Sequence, residues 1–421
     1  MKHKELRDAG RLVSMSALFF ASAFILIALK TTPPDWTALA LAAVIPSVLW
    51  FVVITLPKFL PGDRLILALT HFLCAFGILV LYSVDPPKGL QQAYYYAIGI
   101  PVMFAAAFII KGIGSRWKWL VFILFPVSLG LLLLPLVIGK EIHGARNWIV
   151  VAGMSVQPSE VVKLSLLLIL SYYMGRRRML PWLLFSLGCL SLLALQKDLG
   201  TALMYYATAL LMYYVSSGNI PITALGALGG SGAAVLAYHL PAFAHVRLRV
   251  AIWQNPWRDI EGAGYQIVQA LMAIASGGLW GVGLKLGTPT IIPVYESDMI
   301  FAVICEQFGI LFGLCVLLVY AALVCRGIMI AMAARTRFHS LLAIGCAALL
   351  GIQTFVIVGG VIKLIPLTGV TMPFISAGGT SLVSSLCLMG MLQGIASLNE
   401  EAMREDARLS MLGAQNGELW L

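Results

Sequence analysis

Glu160 and Lys163 stand at the head of one apolar stretch, in Gln157-Pro158-Ser159-Glu160-Val161-Val162-Lys163. Three apart on a helix they share a face and can pair. An ionisable group inside a membrane span costs about 2.5–3.5 kcal/mol, so each needs a reason to be there. Pro158 suits a first helical turn and Glu160 its positive dipole end, which leaves a capped helix with a stabilising pair as the plain alternative. Asp198, in Gln196-Lys197-Asp198-Leu199-Gly200-Thr201, lies between two apolar runs and by itself reads as a helix N-cap. Asp298 opens a third run in Tyr295-Glu296-Ser297-Asp298-Met299-Ile300-Phe301, with Glu306 about two turns further on. Capping accounts for Ser297 or Asp298, but not for Glu296, Asp298 and Glu306 together. Cations complete the set: Lys363 at the end of a late apolar run, and Arg146, Arg247, Arg249 and Arg258 in the long links. Such a mixture can hold an anionic, phosphate-bearing ligand by charge-assisted hydrogen bonds, while a carboxylate moves a proton. Placement alone fits either an enzyme or a transporter of anions or lipids.

The elements that must carry these groups are set by composition. The chain of 421 residues is 60% hydrophobic and 11% charged, whereas soluble globular chains are about 45–50% apolar and about 25% charged. Mean hydropathy is +0.94, and apolar runs of roughly 20 residues, the length that crosses a bilayer core, recur along the chain. The expected fold is an all-α polytopic membrane protein of about twelve transmembrane helices. They fall near 12–30, 36–56, 64–83, 92–110, 117–138, 159–174, 180–196, 199–216, 220–240, 298–324, 339–361 and 380–397. The first run, Leu12–Leu29, is too long for a signal-peptide core and lacks a clear cleavage site, so it is expected to stay as a helix.

The net charge of +10 does not indicate nucleic acid, because the lysines and arginines gather in every second short link. These are the clusters around Lys2–Arg11, Lys58–Arg64, Lys111–Lys118, Arg176–Arg178, Arg326–Arg337 and Arg404–Arg408. Alternation of that kind is the positive-inside pattern of cytoplasmic links, and it puts both termini inside. The charged candidates above then converge on the outer side. The informative outer links are 139–158, 241–297 and 362–379, and the second is long enough to be functional in its own right. Within it, Gly264–Leu279 has apolar residues at the spacing of a helix lying in the interface or the bundle mouth. The seven cysteines lie in or at the ends of apolar runs, without the paired spacing of a zinc site or a disulfide framework. The tail from 399 to 421 is expected to be short, charged and frayed.

Read in order, the motifs resemble the SEDS family (RodA, FtsW, SpoVE). They are Gly144-Ala145-Arg146-Asn147-Trp148-Ile149, the Gln157–Lys163 stretch, Asp198-Leu199-Gly200-Thr201, Gly262-Ala263-Gly264-Tyr265-Gln266 and Ala273-Ile274-Ala275-Ser276-Gly277-Gly278. Asp298–Val303, Pro366-Leu367-Thr368-Gly369-Val370 and Pro373–Ser381 continue the series, and the resemblance spans about 63 to 398. It implies a core of about ten helices over 63–398, with residues 1–62 as two additional N-terminal helices. There are departures: the family's common Leu-Pro-Glu reads Ile292-Pro293-Val294, with the carboxylate displaced to Glu296. A Glu-Glu pair reads Glu306-Gln307, and Ser-Tyr-Gly-Gly reads Ser376-Ala377-Gly378-Gly379.

The resemblance further implies a peptidoglycan glycosyltransferase that polymerises lipid II into glycan strands, in the bacterial cytoplasmic membrane, beside a class B penicillin-binding transpeptidase. It makes Asp298 the essential aspartate and Glu160/Lys163 a functionally important pair. On that reading Asp298 is the general base of an inverting transfer. Lys163, Arg146 and Arg247/Arg249 are the cations for the leaving pyrophosphate, and Glu160 holds Lys163. Gln157, Ser159, Asp198, Tyr265, Gln266, Glu296, Glu306, Lys363 and Ser376 support the site. No cofactor is evident; a divalent cation can share the phosphate role, although no ligand cluster demands one. The alternative is a lipid II flippase, which calls for ionisable groups spread along a path at mid-membrane depth; a non-catalytic scaffold leaves Asp298 and Lys163 without purpose.

Overall fold

The computed structural model describes residues 2–59, 61–142, 145–151 and 154–415. Its first helices are α1 (Lys2–Leu29), α2 (Trp36–Trp50), α3 (Arg64–Val84), α4 (Pro86–Gly112) and α5 (Trp117–Ile138). Three short strands follow, β1 (Lys140–Ile142), β2 (Ala145–Val151) and β3 (Met154–Val156). The chain continues through α6 (Pro158–Gly175), α7 (Met179–Leu195), α8 (Leu199–Ser217), α9 (Ile220–His239), α10 (Ala244–Gln254) and α11 (Tyr265–Gly277). It closes with α12 (Ile300–Phe308), α13 (Ile310–Met332), α14 (Arg337–Val361) and α15 (Gly379–Gln415).

Among the described residues, nine helices are long and apolar enough to cross a membrane: α1, α2 with its continuation to Lys58, α3, α4, α5, α9, α13, α14 and α15. Helices α6, α7 and α8, of 18, 17 and 19 residues, pack among them. The protein is an all-α, multi-pass membrane protein. Small residues let helices approach closely where lipid offers no hydrophobic drive. The α4–α15 contact is built this way: a Cβ on Gly394 would stand 2.7 Å from the Ala107 carbonyl oxygen, and Gly390 lies against that of Met103.

The helices give the bundle two ends. One, called the site end here, collects the starts of α4, α6, α8, α13 and α15 and the ends of α3, α5, α9 and α14. The other is fastened by ion pairs: Arg326 to Asp63, Lys111 to Glu401 and Arg335 to Asp406. Asp63 also caps α3, accepting from the Ile66 N–H at 3.0 Å.

Several expectations need correction. The helix expected over 298–324 is two helices, α12 and α13, parted at Gly309, whose φ is +86°. The turn after α11 claims the carbonyls that would have continued α12: Val282 N–H donates to Glu306 (2.9 Å) and Gly283 N–H to Gln307 (3.0 Å). The Ile310 N–H then turns to the Gly278 carbonyl, 3.0 Å away. Because Ile300 through Gln307 are all buried, α12 is as apolar as a span without being one. The 139–158 link folds into a three-stranded antiparallel sheet, β2 in the middle, with Lys140 opposite Trp148 and Val150 opposite Ser155. Gly144 of the first motif lies outside the described residues. The tail expected to fray from 399 is helical to Gln415, and Asn399 is itself buried, donating to the Ile330 carbonyl at 2.9 Å. Helix α1 begins at Lys2 rather than near 12, and α4 at Pro86 rather than near 92. The amphipathic stretch expected over 264–279 is α11.

Candidate active site

Asp298 lies just before α12, and the cap position of that helix is Met299, which makes no side-chain cap bond. The Asp298 carboxylate is oriented by its neighbour: Ser297 Oγ donates to Oδ1 at 3.0 Å. The Ser297 carbonyl in turn accepts from Ser376 Oγ at 2.6 Å, and Ser376 Oγ accepts from the Met372 N–H at 2.8 Å. Across from Asp298 runs the 366–370 loop between α14 and α15. A Cβ on Gly369 would stand 3.5 Å from Asp298 Oδ2 and 3.8 Å from Arg249 Nη2. Arg249, exposed on α10, is fixed by a 2.9 Å hydrogen bond from Nη1 to the Thr368 carbonyl. One loop thus brings a carboxylate and a guanidinium to the same glycine.

The same loop reaches the start of α8. A Cβ on Gly200 would lie 2.7 Å from the Thr368 carbonyl oxygen, so the Asp198 corner packs directly on it. Asp198 caps α8 through the Thr201 N–H (3.1 Å) and also gathers two amides, Asn147 Nδ2 (2.8 Å) and Gln157 Nε2 (3.1 Å). It joins the β2 strand, the approach to α6 and α8, so capping is one of three tasks. Arg146 is exposed beside it, with its backbone N–H bonded to the Gln196 carbonyl at 3.1 Å. His245, one turn before Arg249 on α10, is held below its ordinary range, first by burial and then by Arg249 and Lys197. That repulsion reports two cations facing the same histidine.

Glu160 and Lys163 form an ion pair at the head of α6, with side chains only 9% and 3% exposed. Ser384 of α15 donates to Glu160 Oε2 at 2.8 Å. Tyr205, two turns along α8 from Asp198, donates to the Ser159 carbonyl at 2.6 Å, which ties the pair to the Asp198 corner. Glu296 pairs with Lys88 at the start of α4, 2.5 Å away. Gln266 of α11 donates to the Pro293 carbonyl at 3.2 Å, steadying the approach to Asp298; its neighbour Tyr265 opens the same helix, half-buried.

Three candidates sit apart from this opening. Glu306 is buried at the far end of α12, roughly 12 Å along the helix from Asp298 at 1.5 Å per residue, and accepts the Thr288 N–H at 2.9 Å. It braces the 287–288 turn. Lys363 takes a left-handed backbone (φ +62°), and its carbonyl accepts from Trp253 Nε1 at 3.1 Å, which anchors α10 to the end of α14. Arg247 is exposed two residues before Arg249, and residues two apart on a helix do not face each other.

The sequence reading missed Lys88, Asn147, Lys197 and Ser384. Lys88 carried a signal: a lysine in the 84–91 link, which alternation makes one of the basic-poor links. Asn147 stood inside a quoted motif, whereas Ser384 is one serine among several in an apolar run. Among the described residues, no group of three or more His, Cys, Asp or Glu side chains converges in a way that would hold a metal ion.

The profile of the Cell cycle protein family, FtsW/RodA/SpoVE, matches residues 63–401. The peptidoglycan glycosyltransferase RodA of Mycobacterium bovis is 31% identical over 372 residues, covering 79% of this chain and 78% of its own. Stage V sporulation protein E of Bacillus subtilis is 31% identical over 357 residues, covering 79% and 96%. Among solved structures, a chain of a peptidoglycan synthase complex that coordinates polymerization and crosslinking superposes with a TM-score of 0.67. That chain is 28% identical, and the match covers 80% of this chain and 98% of that one. The chain belongs to the FtsW/RodA/SpoVE family, the SEDS proteins.

Proposed function

We propose that this protein is a peptidoglycan glycosyltransferase that polymerises lipid II into glycan strands, with Asp298 as general base. The observation that carries the reading is the approach of Asp298 and Arg249 to Gly369: a base and a fixed cation meet at one glycine. The names of the relatives, peptidoglycan glycosyltransferases among them, support the same chemistry.

The acceptor sugar hydroxyl attacks the anomeric carbon of the donor, and the bond from that carbon to the pyrophosphate oxygen breaks. Its electron pair leaves with undecaprenyl pyrophosphate, and the hydroxyl proton passes to Asp298. A hydroxyl is a poor nucleophile near pH 7, and a positioned base contributes about 10²–10⁴-fold. One displacement without a covalent intermediate inverts the anomeric centre. The leaving pyrophosphate gathers negative charge, which cations fixed in advance stabilise without reorganising. Arg249 is the best placed of these, Lys197 faces His245 on the helix of Arg249, Arg146 stands at the Asp198 corner, and Lys163 acts from the buried pair. A divalent cation, if one takes part, would neutralise the pyrophosphate beside these side chains.

The site end faces the extracytoplasmic side of a bacterial cytoplasmic membrane, with both termini inside. This follows from the basic residues Arg326, Arg335 and Arg337 at the opposite end. The core is residues 63–398, the two helices over 1–62 are an added hairpin, and 399–421 is a cytoplasmic extension. The partner is a class B penicillin-binding transpeptidase, in keeping with a structural neighbour that belongs to a synthase complex coordinating polymerization and crosslinking. Incubating the purified protein and its transpeptidase with lipid II, and resolving the glycan product, tests the reading; lipid translocation without polymer would favour the flippase.

A further inference from the structure

Lys88 belongs to none of the motifs, yet it touches the segment that carries Asp298 at two points and the cap of its own helix at a third. Its ammonium lies 2.5 Å from Glu296 Oε1, 3.9 Å from Asp85 Oδ2 and 5.0 Å from the centre of the Tyr295 ring. Gln92, one turn further along α4, donates to the Ser376 carbonyl at 3.1 Å. The first turns of α4 therefore grip both halves of the base's support, the 294–298 segment and the 372–378 loop. The two halves also join directly, since the Ala377 N–H donates to the Glu296 carbonyl at 2.8 Å.

The grip has something to resist. Val294 takes a left-handed backbone with φ of +56°, a genuine outlier for a β-branched residue. Its carbonyl accepts the Ser297 N–H at 3.2 Å, closing a tight turn immediately before Asp298. Strained backbone persists only where its surroundings over-determine it, and such residues cluster at functional sites. Glu296 stands two residues beyond that strained position, where Lys88 meets it.

We propose that Lys88 is a positioning residue: through its ion pair with Glu296 it holds the strained turn at Val294 and so aims the Asp298 carboxylate at the opening beside Gly369. The assignment rests on the polymerase reading, with Asp298 as base. Lys88 acts on the carboxylate's placement and not on lipid II, so its loss shows in kcat. Misplacing a reacting group by about 1 Å costs on the order of 10²-fold.

The test is lipid II polymerisation by the purified full-length protein with its transpeptidase, comparing wild type, Lys88→Met, Glu296→Gln, the charge swap Lys88→Glu/Glu296→Lys, and Asp298→Asn. The expected result is a fall in kcat of about 10–10²-fold for Lys88→Met and for Glu296→Gln, with KM for lipid II within about twofold of wild type. The swap restores most of kcat, because the clamp is rebuilt with its charges reversed. A Lys88→Met protein with wild-type kcat overturns the proposal. So does a raised KM with unchanged kcat, which would make Lys88 a ligand contact, and so does a well-folded swap no better than either single variant. If wild type polymerises and Asp298→Asn does not, the polymerase reading stands and the Lys88 variants judge the clamp alone. If wild type makes no polymer, that reading fails and takes the clamp with it.

Discussion

Asp298 and Arg249 come to one glycine from two separate elements. A Cβ on Gly369 would stand 3.5 Å from Asp298 Oδ2 and 3.8 Å from Arg249 Nη2. Gly369 itself has φ of +75°, a backbone that costs a residue with a Cβ roughly 1–2 kcal/mol. Gly369→Ala is expected to leave the protein inserted and folded but to lower kcat/KM for lipid II by about 10–10²-fold, because the strained backbone shifts the loop whose Thr368 carbonyl holds Arg249 beside Asp298. Steady-state kinetics beside a thermal unfolding curve in detergent check it; normal kinetics would mean that nothing reacts at this opening.

Glu160 and Lys163 are buried together, and taking one away leaves the other as an uncompensated charge. Breaking such a pair costs about 3–5 kcal/mol, whereas replacing both members can be near neutral. Glu160→Gln and Lys163→Met should each lower both thermal stability and polymerisation severely. The double variant should regain stability while its activity stays as low as the worse single variant, since groups acting as a unit are non-additive. Activity that returns along with stability would reduce the pair to a structural fastening.

The proposed orientation rests on charge placement, and labelling checks it. In a protein whose native cysteines have been replaced, a cysteine at Trp257 should react with an impermeant maleimide from outside intact cells, and one at Arg177 only after permeabilisation. Both positions are exposed to solvent or interface. Equal labelling from outside would reverse or break the helix map.

The spans were legible because a bilayer demands roughly 20 apolar residues and says so in composition. The break at Gly309 was not: Phe308 before it and Ile310 and Leu311 after it are apolar, and the polar pair Glu306-Gln307 before the glycine reads as part of a site and not as a corner. Burial against the 278–283 turn makes α12 look like lipid-facing helix. The strands over 140–156 are too short for a two-residue period to stand out. Of the site, Asp298, Glu160 and Lys163 were visible because charge is conspicuous among apolar neighbours. Lys88 and Ser384 were not, because their importance lies in partners 208 and 224 residues away in the chain. Glu306 looked like a member of the site by sequence spacing, and the fold turns it to the 287–288 backbone.

The most direct test of the base is polymer formation from lipid II by purified Asp298→Asn protein bound to its transpeptidase. Asparagine keeps the size and the capping ability of aspartate and removes the basic oxygen. The protein should therefore insert, fold and hold its partner as before. Loss of a general base costs on the order of 10²–10⁴ in rate, enough to leave no visible glycan product. Full-length strands from Asp298→Asn, at the wild-type rate and with the same lipid II, would contradict the account.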